Sequence, residues 1–156
     1  MGGMSIDVDL KLSEVEFSEG DLLILPGADT WIEEEHRSVI EMVENLTERG
    51  VIVAAICGAT AALAKGGILN SRKHTSNGKG FLEMVCPEYK GSENYINCPA
   101  VCDNNLITAS GLAPLDFTYE ILKRVEVMKE DTVSAWYKLY STKEPRYFYE
   151  LMESLK

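Results

Sequence analysis

Apolar residues along this chain fall into short continuous runs, separated by segments with a three-to-four-residue repeat. Asp21-Leu22-Leu23-Ile24-Leu25 is one such run, stopped by Pro26-Gly27, and Val51 to Ile56 is another. A short run that is apolar at every position predicts a strand covered on both faces, as in a parallel sheet. Between the two, Ile32, Val39, Ile40, Val43 and Leu46 recur at helical spacing. Thr30 and Glu33 supply a T-x-x-E capping box to open that helix, and Gly50 closes it. The second strand runs directly into a helix from Gly58 to about Lys65, stopped by Gly66-Gly67.

Further on, Arg72 to Ser76 is predicted as a short strand and Lys79 to Val85 as a short helix ended by Pro87. Tyr95 to Cys102 and Leu106 to Ala109 flank Asp103-Asn104-Asn105, a hairpin-like turn signal. Pro114 suits the first turn of a helix carrying Leu115, Tyr119, Leu122 and Val125. The tail from Asp131 reads as two helices rich in aromatics: Trp136, Tyr137, Tyr140, Tyr147, Phe148 and Tyr149. Strands alternating with helices predict an α/β sandwich with a mostly parallel sheet, as one domain over residues 1–156. Ligands of such sheets bind beyond the carboxyl ends of the strands. That rule singles out Pro26-Gly27-Ala28-Asp29 and Cys57-Gly58-Ala59.

Charge narrows the partners. There are 25 acidic against 15 basic residues, a net charge of −10, so neither nucleic acid nor a membrane surface is expected, since both call for a basic patch. No apolar run approaches the ~20 residues that span a bilayer, and MGGMSIDVDLKLSEVE lacks the basic-then-apolar order of a secretory signal. Cys57, Cys86, Cys98 and Cys102 show neither a dense disulfide spacing nor paired C-x-x-C spacing. Cys98 and Cys102 read either as a metal or redox pair or as two thiols in a hairpin. The expectation is a cytoplasmic protein with no cofactor and no metal.

The chemistry concentrates at Val53-Ala54-Ala55-Ile56-Cys57-Gly58-Ala59-Thr60. A side chain presented at a sharp strand-to-helix turn needs small residues two positions to either side, because the backbones crowd there. Ala55 and Ala59 meet that need, and the pattern is a G-x-S-x-G nucleophile elbow with cysteine for serine. A sulfur over the first turn of the following helix meets unpaired N–H groups and the helix dipole, which favour the reactive thiolate. The N–H of Gly58 is a candidate oxyanion-hole donor, with a second from the turn at Gly27-Ala28. The alternative is a small buried hydrophobe, as free cysteines often are. His74 is the candidate base; on a strand it would share a face with Ser76. It reads equally as a surface histidine or one bonded to a backbone carbonyl, and His36 reads as solvated.

DLLILPGADTW, VAAICGATAALAKGGILNSRKHTSN and NLITASGLAPLDFTYEIL together resemble the PfpI/ThiJ (DJ-1/PfpI) family of the class I glutamine amidotransferase-like superfamily, from about Asp21 onward. The resemblance implies a flavodoxin-like three-layer sandwich, a homodimer, and Cys57 as the reactive cysteine. It also places Gly27, Ala28, Gly58, Ser110 and Gly111 near the pocket, with Trp31 as a wall. Peptidase-like members carry a histidine where this chain has Gly58, and amidotransferases need a late histidine and glutamate that it lacks. In place of a pocket histidine, Ser76 is the closer match. The family's first strand has no counterpart here, so the resemblance implies a missing N-terminal βαβ arm of roughly 30 residues. Asp21–Leu25 is then expected as an edge strand needing cover. Two functions remain open. One is a cysteine-dependent hydrolase or a glyoxalase- or deglycase-like enzyme acting on a small-molecule carbonyl substrate. The other is a redox or stress protein in which an oxidant modifies Cys57. A glutamine amidotransferase is disfavoured.

Overall fold

In the computed structural model, which describes residues 5–156, the two apolar runs become neighbouring parallel strands of a four-stranded sheet. β1 (Leu22–Leu25), β2 (Ile52–Ile56), β3 (Ala100–Asp103) and β4 (Leu106–Ala109) lie in the order β1-β2-β4-β3. β1, β2 and β4 run parallel, with Leu25 beside Ala55 and Ile56 beside Ala109, and β3 pairs antiparallel to β4. Side chains alternate across β2. Val53 and Ala55 join the core under α1 (Arg37–Glu48), α2 (Gly58–Lys65) and α3 (Phe81–Val85). Ile52 and Ala54 face α4 (Pro114–Val125), where Phe117 and Ile121 are buried. A strand covered on both faces has no position for a polar residue, which is why its sequence is a continuous apolar run.

α5 (Glu130–Thr142) packs on α4 through Tyr119 stacked on Tyr137, ring centroids 4.2 Å apart, and α6 (Arg146–Ser154) packs on α5. Among the described residues β1 pairs only with β2, so it is the edge of the sheet, and Ile24 there is 48% exposed. No helix among them is long and apolar enough to cross a membrane.

Three elements differ from the sequence expectation. The T-x-x-E box does not cap a helix: Glu33 N–H donates to the Thr30 carbonyl in a tight turn, and α1 begins only at Arg37. Tertiary contacts hold the intervening residues in short 3₁₀ turns instead, since the Lys65 ammonium reaches both the Ile32 carbonyl (2.8 Å) and the Glu34 carboxylate (3.1 Å). Arg72 to Ser76 makes only a single bridge, His74 to Tyr95. Likewise Tyr95 to Cys102 is strand only from Ala100, because Pro99 has no N–H to give a ladder.

Leu63 of α2 is fully buried against this core, whereas Leu112 is 94% exposed. Leu63→Ala is expected to lower unfolding stability by about 2–5 kcal/mol, and Leu112→Ala by less than about 0.5 kcal/mol. Urea denaturation midpoints of the two variants check this; equal shifts would contradict the assignment of Leu63 to the core.

Candidate active site around Cys57

β2 delivers Cys57 into a backbone conformation that side chains avoid, φ 59° and ψ −125°. Such positive-φ strain costs on the order of 1–3 kcal/mol and persists only where the surroundings impose it. Here they do. Cys57 N–H donates to the Ala109 carbonyl of β4 at 3.0 Å. Its own carbonyl accepts both the Thr60 N–H (3.1 Å) and the Thr60 hydroxyl (2.6 Å). The elbow read from the sequence is therefore present in the backbone, with Ala55 and Ala59 fully buried on either side.

The sulfur sits in a slot walled by glycines. A Cβ on Gly27 would lie 2.9 Å from the Cys57 Cβ, and one on Gly111 would lie 2.7 Å from Sγ. A Cβ on Gly58 would be driven into the Ala28 carbonyl oxygen, backbone that cannot swing aside. This accounts for Gly58 in the position after the cysteine: with this turn, a side chain there has no room. Gly58 and Ala59 open α2, where N–H groups have no intrahelical acceptor. At Ala28 it is the carbonyl oxygen that stands against Gly58.

One polar side chain touches the sulfur, and the sequence reading passed over it. Asn77 donates from Nδ2 to Cys57 Sγ at 3.6 Å, while its Oδ1 accepts the Gly111 N–H at 2.9 Å. The available signal was the end-of-strand rule, since Asn77-Gly78 is where the chain leaves the His74–Ser76 stretch. Among the described residues no histidine or carboxylate is hydrogen-bonded to Sγ. Asn77 also lines a cleft of about 370 Å³ with Tyr95, Asn97, Ser110, Leu112 and Asp116. Ser110 is tied into its own turn, its hydroxyl accepting the Leu112 N–H.

His74 lies elsewhere. It is fully buried, with Nδ1 2.6 Å from the Arg72 carbonyl and Nε2 2.6 Å from the Tyr89 hydroxyl. A carbonyl only accepts, so Nδ1 carries the proton and Nε2 accepts from Tyr89. Both ring nitrogens are thus spent on structure, which is the backbone-bonded alternative of the sequence reading and not the surface one. Burial pushes the imidazole below its ordinary range, against the opposing Arg72 hydrogen bond, and pushes Tyr89 up to about 12. Ser76, two residues on, bonds to Thr60 at 2.6 Å.

Trp31 lines a different groove, of about 430 Å³, together with Glu34, Arg37 and Lys65, and its indole N–H donates to the Pro26 carbonyl at 2.6 Å. His36 is not simply solvated: its ring lies 5.2 Å from that of Trp31 and pairs with Glu35 at 3.4 Å. Cys98 and Cys102 are both free, each thiol donating to a nearby backbone carbonyl. Burial pushes the thiols of Cys86, Cys98 and Cys102 up.

Two outcomes follow from this geometry. Gly58→Ala is expected to lose the elbow, with stability falling by more than about 2 kcal/mol, read by urea denaturation; a fully stable variant would mean the Ala28 carbonyl can retreat. For His74, the depressed folded value means the unfolded chain binds more protons below its pKa of about 6.5. The stability His74 contributes is therefore complete above about pH 6.5 and is lost as pH falls below that. Between pH 7.5 and 5.5 the wild-type midpoint should drop further than that of His74→Gln, and parallel slopes would contradict the assignment.

Known proteins resemble this chain in sequence and fold. The sequence pattern of the DJ-1/PfpI family matches residues 1–124. The chain is 50% identical to the Bacillus subtilis protein named uncharacterized protease YoaZ, over 99% of this chain and 74% of that one. It is 37% identical to deglycase PfpI of Pyrococcus furiosus, over 69% of this chain and 63% of that one. The crystal structure of a thiJ/pfpI family protein from Bacillus anthracis superposes with a TM-score of 0.95 at 51% identity, covering 99% of this chain and 73% of the other. With its mostly parallel sheet between helical layers, in the flavodoxin-like manner, and with that breadth of likeness, the chain belongs to the DJ-1/PfpI family.

Proposed function

We propose that this protein is a cysteine-dependent enzyme acting on small reactive carbonyl compounds, in glyoxalase- or deglycase-like chemistry, with Cys57 as nucleophile. The observation that carries the proposal is the sulfur held at a strained elbow, in a glycine-walled slot beside a small cleft, with a neutral amide as its polar partner. The Cys57 thiolate adds to an aldehyde carbon. A C–S bond forms, the carbonyl π pair moves onto oxygen, and the resulting oxyanion is met by the Gly58 N–H before taking a proton from water. Water then carries the C1 proton of this hemithioacetal to C2, and a second water hydrolyses the resulting thioester, releasing a 2-hydroxy acid and freeing the Cys57 thiolate.

The relatives' names offer both a protease and a deglycase. Peptide hydrolysis requires an acid to protonate the departing amine. Among the described residues none is bonded to the sulfur, and the cleft carboxylate Asp116 is already engaged by the Tyr137 hydroxyl at 2.7 Å. Addition to the free aldehyde of methylglyoxal has no leaving group, and the thiolate that departs when the thioester is hydrolysed needs no acid, so glyoxalase-type chemistry makes no such demand. The cleft, moreover, is lined by neutral residues and Asp116, with no cation among them, so it favours neutral carbonyl compounds over anionic ones.

Cys57→Ala is expected to abolish consumption of methylglyoxal. Wild-type kcat/KM for methylglyoxal should exceed that for the anion glyoxylate by about fivefold or more, the factor that ~1 kcal/mol of Coulomb repulsion at ~4 Å in water supplies. Steady-state assays of both substrates test this, and turnover surviving in Cys57→Ala would sink the proposal.

A further inference from the structure

We propose that Asn77 fills the role a general base would otherwise hold at Cys57: its amide donates to the sulfur and keeps it charged and aimed, instead of taking its proton. The proposal rests on Cys57 being the reactive thiol and adds how the thiolate is kept. The two ends of an amide are chemically distinct, and this site determines which end faces which way. The backbone N–H of Gly111 can only donate, so the group 2.9 Å from it must be the carbonyl oxygen of Asn77. The other end is then the NH₂, also only a donor, and it points at Sγ from 3.6 Å. A sulfur facing a fixed donor is stabilised as thiolate over thiol, because the charged form is much the better acceptor.

The Gly111 N–H holds the oxygen end of the amide, and the segment that carries Asn77 is itself fastened from several directions. His74 N–H donates to the Asn94 carbonyl and its own carbonyl accepts the Ile96 N–H. Thr75 donates from its N–H to the Thr108 hydroxyl of β4 at 2.9 Å and from its hydroxyl to the Cys98 carbonyl at 2.7 Å. Ser76 bonds to Thr60, whose hydroxyl also bonds to the Cys57 carbonyl. His74, Thr75, Ser76 and Thr60 are all buried, so these bonds compete with little water. The ionisable groups on the segments that meet at the sulfur are Asp29, Lys65, Arg72, Lys73, His74, Lys79 and Asp116, and among the described residues none of them bonds to it.

Asn77→Asp separates the two functions of the side chain. A carboxylate keeps an oxygen for Gly111 but turns the second oxygen, an acceptor with negative charge, toward the sulfur. A merely structural Asn77 would leave the labelling rate of Cys57 in folded Asn77→Ala unchanged, because that variant removes the donor without bringing a new charge to the sulfur. Alkylation of the full-length chain by iodoacetamide at neutral pH, followed by mass spectrometry that resolves Cys57 from Cys86, Cys98 and Cys102, reads the difference. In the wild type Cys57 should label fastest. In Asn77→Asp its rate should fall by about fivefold or more, the factor that one close like-charge repulsion at ~4 Å in water supplies. Asn77→Ala, which removes the donor without adding charge, should slow labelling by a smaller factor and serves if Asn77→Asp does not fold. Fast wild-type labelling of Cys57 with unchanged rates in the folded variants would overturn the role of Asn77 alone. Equal labelling of all four cysteines in the wild type would overturn the reading of Cys57 and this proposal with it.

Discussion

The left-handed backbone of Cys57 is the constraint from which the rest of the site follows. A non-glycine residue at φ 59° must be held there, and the holding groups come from β4 through the Ala109 carbonyl and from α2 through Thr60. Once the chain turns this sharply, three neighbouring backbones are forced close. Gly27, Gly58 and Gly111 are glycine because a Cβ at any of them would strike Cys57 or the Ala28 carbonyl. The sulfur thus emerges beyond the carboxyl end of β2, over the open first turn of α2, where the parallel sheet leaves room for a ligand. Strain, glycine placement and sulfur exposure are one geometric fact seen from three sides.

Around the elbow, irregular chain is made rigid by side chains in place of a ladder. Residues 72–78 carry only one bridge, from His74 to Tyr95 outside the sheet, yet His74, Thr75 and Ser76 are buried. Buried backbone and polar groups need partners, and here Thr108, Thr60, Tyr89 and the carbonyls of Arg72 and Cys98 supply them. A neutral histidine suits this position, since a charged ring would lose hydration without gaining an anion. The outcome is a stiff connection from α2 and β4 to Asn77 at the mouth of the cleft. Function and packing share these residues: the same Thr60 hydroxyl serves the strained carbonyl of Cys57 and the anchoring of Ser76.

The electrostatic character of the site is donor-rich and short of bases. The acidic surplus of the chain lies largely on its exposed surface, while the polar side chain that faces the sulfur is an amide. Such surroundings stabilise a negative charge without accepting a proton, which suits addition to an electrophilic carbon better than cleavage of a stable amide. On the proposed reading, selectivity among thiols arises in the same way: Cys86, Cys98 and Cys102 are pushed toward the neutral form by burial.

Much of the fold was legible in the order of residues. The apolar runs of β1 and β2, the hairpin turn at Asn104 and the helix opening at Pro114 all depend on neighbours close in sequence, as does the small-residue elbow around Cys57. Local periodicity failed where distant contacts set the conformation. Lys65 reaches back to Ile32 and Glu34 and delays α1 past an apparent capping box, and the threonines that pin residues 75 and 76, Thr108 and Thr60, come from elements 33 and 16 positions away. The same division runs through the site. The sequence by itself determined that a cysteine would stand on an elbow, because steric demands two residues to either side are written locally. Only the tertiary structure decided what faces that cysteine, taking Asn77 to it and His74 away. Hydrogen bonds at the sulfur join segments 20 or more positions apart, and no periodicity in a single chain segment records which of two nearby side chains turns inward.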